Sequence, residues 1–165
     1  MSATNEKYKA QYEQMHEAGS FAGYSLRGHW DELLRFLEAT DSKTILDYGC
    51  GKGGIWKGID LEVSLYDPYY PPFSRKPDGL FDCVVCSDVL EHVPEEDIDD
   101  FLMEAASYAT KAIFLTVCCR PAKKRLPNGE NAHITLKDMS WWQWKINRAS
   151  AHWPRQLFIG LVENE

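Results

Sequence analysis

Two aspartates bracket a glycine turn in the first half of the chain. Residues 44–54 read TILDYGCGKGG, and residues 63–67 read VSLYD. Ile45 and Leu46 open a short apolar run that stops at glycines, the pattern of a buried parallel strand feeding a tight turn. Glycine admits positive φ and lets a ligand approach the backbone. The amides beyond such a turn often point at an anionic or polar ligand. Asp47 stands two residues before Gly49, where a carboxylate would face that ligand. It suits an ammonium group and is badly placed beside a pyrophosphate. Asp67 closes the second apolar run. A carboxylate at that strand end can accept from both hydroxyls of a ribose; the competing reading is a plain Asp-Pro turn with Pro68. Gly49, Gly51 and Gly54 also satisfy the dinucleotide pattern G-x-G-x-x-G, which keeps a nicotinamide-dependent oxidoreductase in view.

Asp47-x-Gly49-x-Gly51 after an apolar strand resembles the first motif of the class I S-adenosylmethionine-dependent methyltransferases. Further on, FDCVVCSDVLEHV at residues 81–93 looks like the fourth strand and following loop of that family. The resemblance covers residues 45–117 and implies a Rossmann-like fold with S-adenosyl-L-methionine as cofactor. It assigns Asp47, Gly49 and Gly51 to the methionine part, with Tyr48 and Cys50 in the same binding turn. It gives Asp67 the ribose and sets Ser87, Asp88 and Val89 beside the methionine and adenine portions. Pro68, Tyr69 and Tyr70 would cover an adenine face, with Asp78 as a polar partner. Asp47 and the LEHV segment tell against the oxidoreductase. Two alternatives keep the same fold: lyase or hydrolase chemistry on the same cofactor, and a non-catalytic partner role.

Methyl transfer from a sulfonium is an in-line displacement with a good leaving group already present. The protein has to align the reactants and exclude water. A general base is needed only when the nucleophile arrives protonated. His133, in the long polar loop after residues 112–117, is the preferred base or acceptor-orienting residue, and His92 is the second candidate. For each, a histidine that only bonds backbone is the competing reading. Asp88, Glu91 and His92 are spaced i, i+3, i+4 and would share a face if helical. With His133 they resemble the two-carboxylate, two-histidine magnesium or manganese site of small-RNA 2′-O-methyltransferases. LEHV is also frequent in methyltransferases without a metal, so no metal is expected; these four are the candidates if one is used. Arg120, Lys123, Lys124 and Arg125 form a basic cluster in the same loop. It is either a solvated face or a site for an acceptor bearing carboxylate or phosphate. Cys83 and Cys86 form C-x-x-C, yet three residues apart in a strand they face opposite ways, which argues for buried thiols over zinc.

The elements that must position these residues alternate. A helix is expected over residues 5–18, with Tyr8, Tyr12 and Met15 at helical spacing. A second is expected over 26–39, its apolar side formed by Trp30, Leu33, Leu34 and Leu37. A strand is expected to open at Ile45-Leu46 and run to the glycines, and others over 63–66, 80–86, 112–117 and 156–162. A short helix is expected near 55–59, one after Pro94 carrying Ile98, Phe101, Leu102 and Ala105, and one over 139–149. This order implies an α/β fold with a mainly parallel sheet and helices on both faces. Residues 68–79, PYYPPFSRKPDG, hold four prolines and cannot carry a regular helix. A typical member of the resembled family has a helix and a third strand there, so the sheet reads as trimmed between the second and fourth strands.

Residues 1–165 are expected to form one domain. A formal charge of −7 argues against broad nucleic-acid binding. No Asp or Asn followed by two prolines and an aromatic follows the fourth strand, where Ser87-Asp88-Val89-Leu90 stands. No Pro-Cys pair for cytosine C5 chemistry is present. A small-molecule acceptor, methylated on O or N and possessing an anionic group, is therefore preferred to DNA, while RNA stays open. No apolar run is of membrane-spanning length, and the polar start lacks a secretory h-region. Five cysteines, mostly in strand-like runs, fit reduced thiols in the cytoplasm.

Overall fold

The computed structural model describes the backbone of residues 3–164 and the side chains of residues 7–164. Its strands are β1 (Thr44–Tyr48), β2 (Glu62–Tyr66), β3 (Phe81–Ser87), β4 (Ala109–Val117) and β5 (Phe158–Glu163). Its helices are α1 (Ala3–Glu17), α2 (Trp30–Ala39), α3 (Ile98–Ser107) and α4 (Met139–Ser150). All strand pairs are parallel, in the order β2-β1-β3-β4-β5. Among the described residues no helix is long and apolar enough to cross a membrane.

Both faces of the sheet are covered, which is why β1, β3 and β4 read as continuous apolar runs. Ile45, Cys83, Val85, Ala112 and Phe114 pack with Leu33 and Leu37 of α2. Leu46, Val84, Cys86, Ile113 and Leu115 pack with Leu102 of α3 and with Trp142 and Ile146 of α4. The alternation puts Cys83 and Cys86 on opposite faces, as the strand period requires. Leu34, expected on the apolar side of α2, faces solvent. The second helix also starts later than expected, because residues Ser25–His29 form a 3-10 turn before α2.

Two crossovers are reduced. Between β1 and β2 the expected helix near residues 55–59 is a single 3-10 turn, Gly54–Trp56. Gly53 and Gly58 flank it at φ 60° and 78°, in a conformation no helix propagates through. Between β2 and β3, residues 68–79 hold only the 3-10 turn Pro71–Phe73. No third strand intervenes among the described residues, and β2 becomes an edge.

A third, smaller apolar cluster lies beyond the carboxyl ends of the strands. Tyr12 and Met15 of α1 pack there on Leu126 and Ala132. Residues 118–138 fold back on themselves, with Arg125 bridged to Asn131 and Gly129 at φ 89° in the turn. Lys7 pairs with Glu130 at 2.9 Å, and Gln11 accepts from the Asn128 amide at 3.0 Å. Helix α1 and this loop thus form a roof over one end of the sheet.

Candidate active site

The parallel sheet brings the ends of β1, β2 and β3 side by side, and the aspartates come with them. Asp47 is 4% exposed, and its carboxylate has Trp56 as its only hydrogen-bond partner among the described residues. The indole Nε1 donates to Oδ2 at 2.6 Å. Burial pushes the Asp47 carboxyl up to about 7; the indole opposes the shift and Asp67 adds to it. Asp67 is also buried. Its Oδ2 accepts from the Gly51 amide at 2.8 Å and its Oδ1 from the Tyr69 amide at 3.0 Å. Burial raises this carboxyl as well, and His16 beside it opposes the rise. His16 Nε2 lies 3.6 Å from Oδ1. Burial holds that imidazole below the usual histidine range, and Asp67 opposes the shift.

The glycine turn is built as expected, but the chain itself makes the close approach. Gly49 and Gly51 have φ of 90° and 57°. The Phe21, Ala22 and Gly23 carbonyls accept from the amides of Lys52, Gly54 and Ile55 at 2.9, 3.1 and 2.8 Å. A Cβ on Gly51 would collide with the Phe21 carbonyl, and one on Gly49 would lie 2.5 Å from Val89 Cγ2. Cys50 is buried, with its thiol pushed far up by burial.

Several expected contacts are spent elsewhere. The Tyr48 side chain points into the core, its ring 4.9 Å from Tyr66 and 5.2 Å from Phe101. Ser87 Oγ lies 2.9 Å from both Ser25 Oγ and Thr116 Oγ1. Asp88 accepts from Thr116 Oγ1 at 2.8 Å and from the side-chain Nδ2 of Asn164. Tyr69 stacks on Tyr12 with ring centroids 5.8 Å apart, and Tyr70 stacks on His16 at 5.4 Å. Pro68 is exposed, and Asp78 pairs with Arg75 at 2.8 Å. Of the basic cluster, Lys124 reaches over the Phe21 ring at 5.3 Å. Arg125 instead donates to the Gly129 carbonyl, and Arg120 and Lys123 are exposed.

The two candidate histidines meet. Their ring centroids are 4.9 Å apart and nearly perpendicular. His92 Nδ1 lies 2.7 Å from the Ala132 carbonyl oxygen, and His133 Nδ1 lies 2.6 Å from that of Arg120. A carbonyl only accepts, so both Nδ1 atoms carry a proton, and in the neutral form of either ring Nε2 is the nitrogen with the lone pair. Burial lowers His92 to about 4. The expected helical face of Asp88, Glu91 and His92 does not form. Leu90–His92 is one 3-10 turn, and Asp88 sits in the left-handed region at φ 52°. Glu91 alone of the two acids joins the histidines: one donor atom from each of Glu91, His92 and His133 lies within 4.8 Å of the others.

Trp56, His16 and Phe21 went unread in the sequence as site residues. For His16 a signal existed, since it follows Tyr12 by four and shares its helical face. The contacts of Trp56 and Phe21 carry no local pattern.

A Rossmann-like α/β sheet with polar side chains gathered at the carboxyl ends of its strands is the class this architecture defines; such sheets bind ligands there. A family model described as a methyltransferase domain matches residues 19–158, and the chain belongs to that family. This bears out the resemblance to the class I methyltransferases. No curated protein and no solved structure matches the chain.

Proposed function

We propose that the chain transfers a methyl group from S-adenosyl-L-methionine to an oxygen or nitrogen of a small acceptor. The observation that carries this reading is the pair of buried carboxylates, Asp47 and Asp67, at the ends of neighbouring parallel strands. Asp47 has no lysine or arginine partner among the described residues. A buried carboxylate held only by a neutral donor is costly, and a cationic ligand offsets that cost. The donor set fits the cofactor: a carboxylate for its ammonium at Asp47 and one for its ribose diol at Asp67. When bound, the cofactor supplies a methyl group on a sulfonium that is already a leaving group.

The chain's own residues bind, orient and enclose. Entry requires Trp56 to withdraw from Asp47 and His16 from Asp67. The segment carrying Phe21 to Gly23 closes the glycine turn against water. His133, with a free Nε2, orients the acceptor or takes its proton, and His92 stands against it. Lys124 offers the charge for an anionic group on the acceptor. One domain in a reducing cytoplasm suits the five free thiols. The negative charge of the chain disfavours DNA.

One observation favours a second reading, a fold kept for a non-catalytic partner role. The glycine turn and both carboxylates are already covered by the chain's own groups. Calorimetric titration with S-adenosylhomocysteine, with NAD as comparison, separates the two. Binding of the former, lost in Asp47→Ala and Asp67→Ala, supports the enzyme. No binding of either ligand supports the scaffold.

A further inference from the structure

Glu91 is completely buried. Its Oε1 accepts from the Cys118 amide at 3.0 Å, while Oε2 has no hydrogen-bond partner among the described residues. An unpartnered buried carboxylate oxygen is expensive. The Glu91 carboxylate lies beside two histidines, one donor atom of each of the three residues falling within 4.8 Å of the others.

We propose that Glu91, His92 and His133 bind a divalent transition-metal ion. The Nδ1 atoms of both rings donate to backbone carbonyls, those of Ala132 and Arg120. That second layer of bonds sets the tautomer and presents Nε2 to a metal. The Ala132 carbonyl and the loop segment that carries His133 are themselves held. Tyr12 Oη lies 3.0 Å from the Ala132 carbonyl oxygen and 3.0 Å from that of His92. Asn131 Oδ1 accepts from the amides of His133 and Ala122, each at 2.9 Å.

The donor atoms, one per residue, lie within 4.8 Å of one another. Bonds of about 2.1 Å put two ligands of one ion roughly 3–4 Å apart, so small side-chain rotations close the site. Two imidazoles and one carboxylate select Zn²⁺, Co²⁺, Fe²⁺ or Mn²⁺ over the all-oxygen ions Mg²⁺ and Ca²⁺. Three protein ligands leave positions open. The His92 ring is 5.6 Å from Phe21, which lies on the glycine turn. The ion therefore sits between that turn and the basic loop; its open positions take an oxygen donor of the acceptor, and with the ion bound His133 orients the acceptor through it and takes no proton. This last role rests on the methyltransferase reading; ion binding does not.

The test uses the full chain, stripped with a chelator and free of any adenosyl ligand. Co²⁺ is titrated in while its visible absorption is recorded, and melting is followed with Zn²⁺, Co²⁺, Mn²⁺ and Mg²⁺. The expected result is one saturable Co²⁺ species and a raised melting temperature with the transition ions. Co²⁺ affinity should weaken at least about tenfold in Glu91→Gln and His133→Ala and stay unchanged in His152→Ala. Gln keeps an acceptor for the Cys118 amide; if that variant does not fold, the partly exposed His133 decides. Absence of a Co²⁺ band and of any melting shift overturns the proposal, as does full affinity in His133→Ala. An equal response to Mg²⁺ overturns the preference for transition-metal ions. Failure to bind S-adenosylhomocysteine in a separate titration would leave this result standing.

Discussion

The indole of Trp56 donates to the buried carboxylate of Asp47 at 2.6 Å, tying the short β1–β2 crossover to the end of β1. Trp56→Phe removes the donor and keeps an aromatic ring. Hydrogen bonds to charged groups contribute about 1.5–3 kcal/mol and neutral ones about 1. Urea unfolding should therefore show a larger loss near pH 8, where Asp47 is ionised, than near about pH 5. The same loss at both values would mean that only ring packing matters.

Asp47 also makes stability depend on pH. Burial raises its carboxyl from 3.8 to about 7. Between those values the native chain keeps a proton that the unfolded chain has released. The native state then binds more protons, and stability falls as pH rises through that window. The whole effect is at most about 4 kcal/mol. Asp47→Asn still accepts from Trp56 and cannot ionise. It should be more stable than the parent by about 1–3 kcal/mol near pH 8, with the gain shrinking as the pH falls and gone below 3.8. A pH-independent difference between the two proteins would refute this account.

In the proposed reading Asp67 takes a ribose diol, and His16 Nε2 stands 3.6 Å from that carboxylate. A ligand that must displace a resident group has an apparent affinity lowered by the fraction of open molecules. His16→Ala should bind S-adenosylhomocysteine several-fold more tightly, as read by calorimetry. Weaker binding would instead make the imidazole part of the cofactor's own seat.

His133 acts on the acceptor in this reading, not on the cofactor. His133→Ala should lower turnover by roughly 10²–10⁴-fold and change S-adenosylhomocysteine affinity little. Lys124→Glu should raise the acceptor KM and spare kcat. Equal losses of turnover and cofactor affinity in His133→Ala would remove the proposed role.

The sheet was legible because its signals are local. Ile45-Leu46, Val84-Val85 and Ile113-Phe114-Leu115 are runs that only burial on both faces explains. The prolines of residues 68–79 announced the missing third strand. What stayed hidden depends on contacts between distant loops: Trp56 on Asp47, His16 on Asp67, Phe21 on Gly51. Periodicity says nothing about which side chain will stand on a carboxylate. The spacing of Asp88, Glu91 and His92 misled for a related reason. It assumes a helix, while positive φ at Asp88 and the tight turn after it separate the two acids' partners.

The roof over the strand ends joins parts of the chain that are far apart in sequence. Its contacts span 117, 120 and 123 residues, from Gln11 to Asn128, Tyr12 to Ala132 and Lys7 to Glu130. Its apolar cluster is separate from the two that flank the sheet. Ordering α1 and residues 118–138 costs backbone entropy, and the small cluster offsets only part of it. The roof is therefore a cooperative unit of its own, able to open at a fraction of the global unfolding free energy. Amide exchange should be fast in α1 and residues 118–138 and slow in β1, β3 and β4. The protein can admit a ligand by partial unfolding while its sheet stays intact.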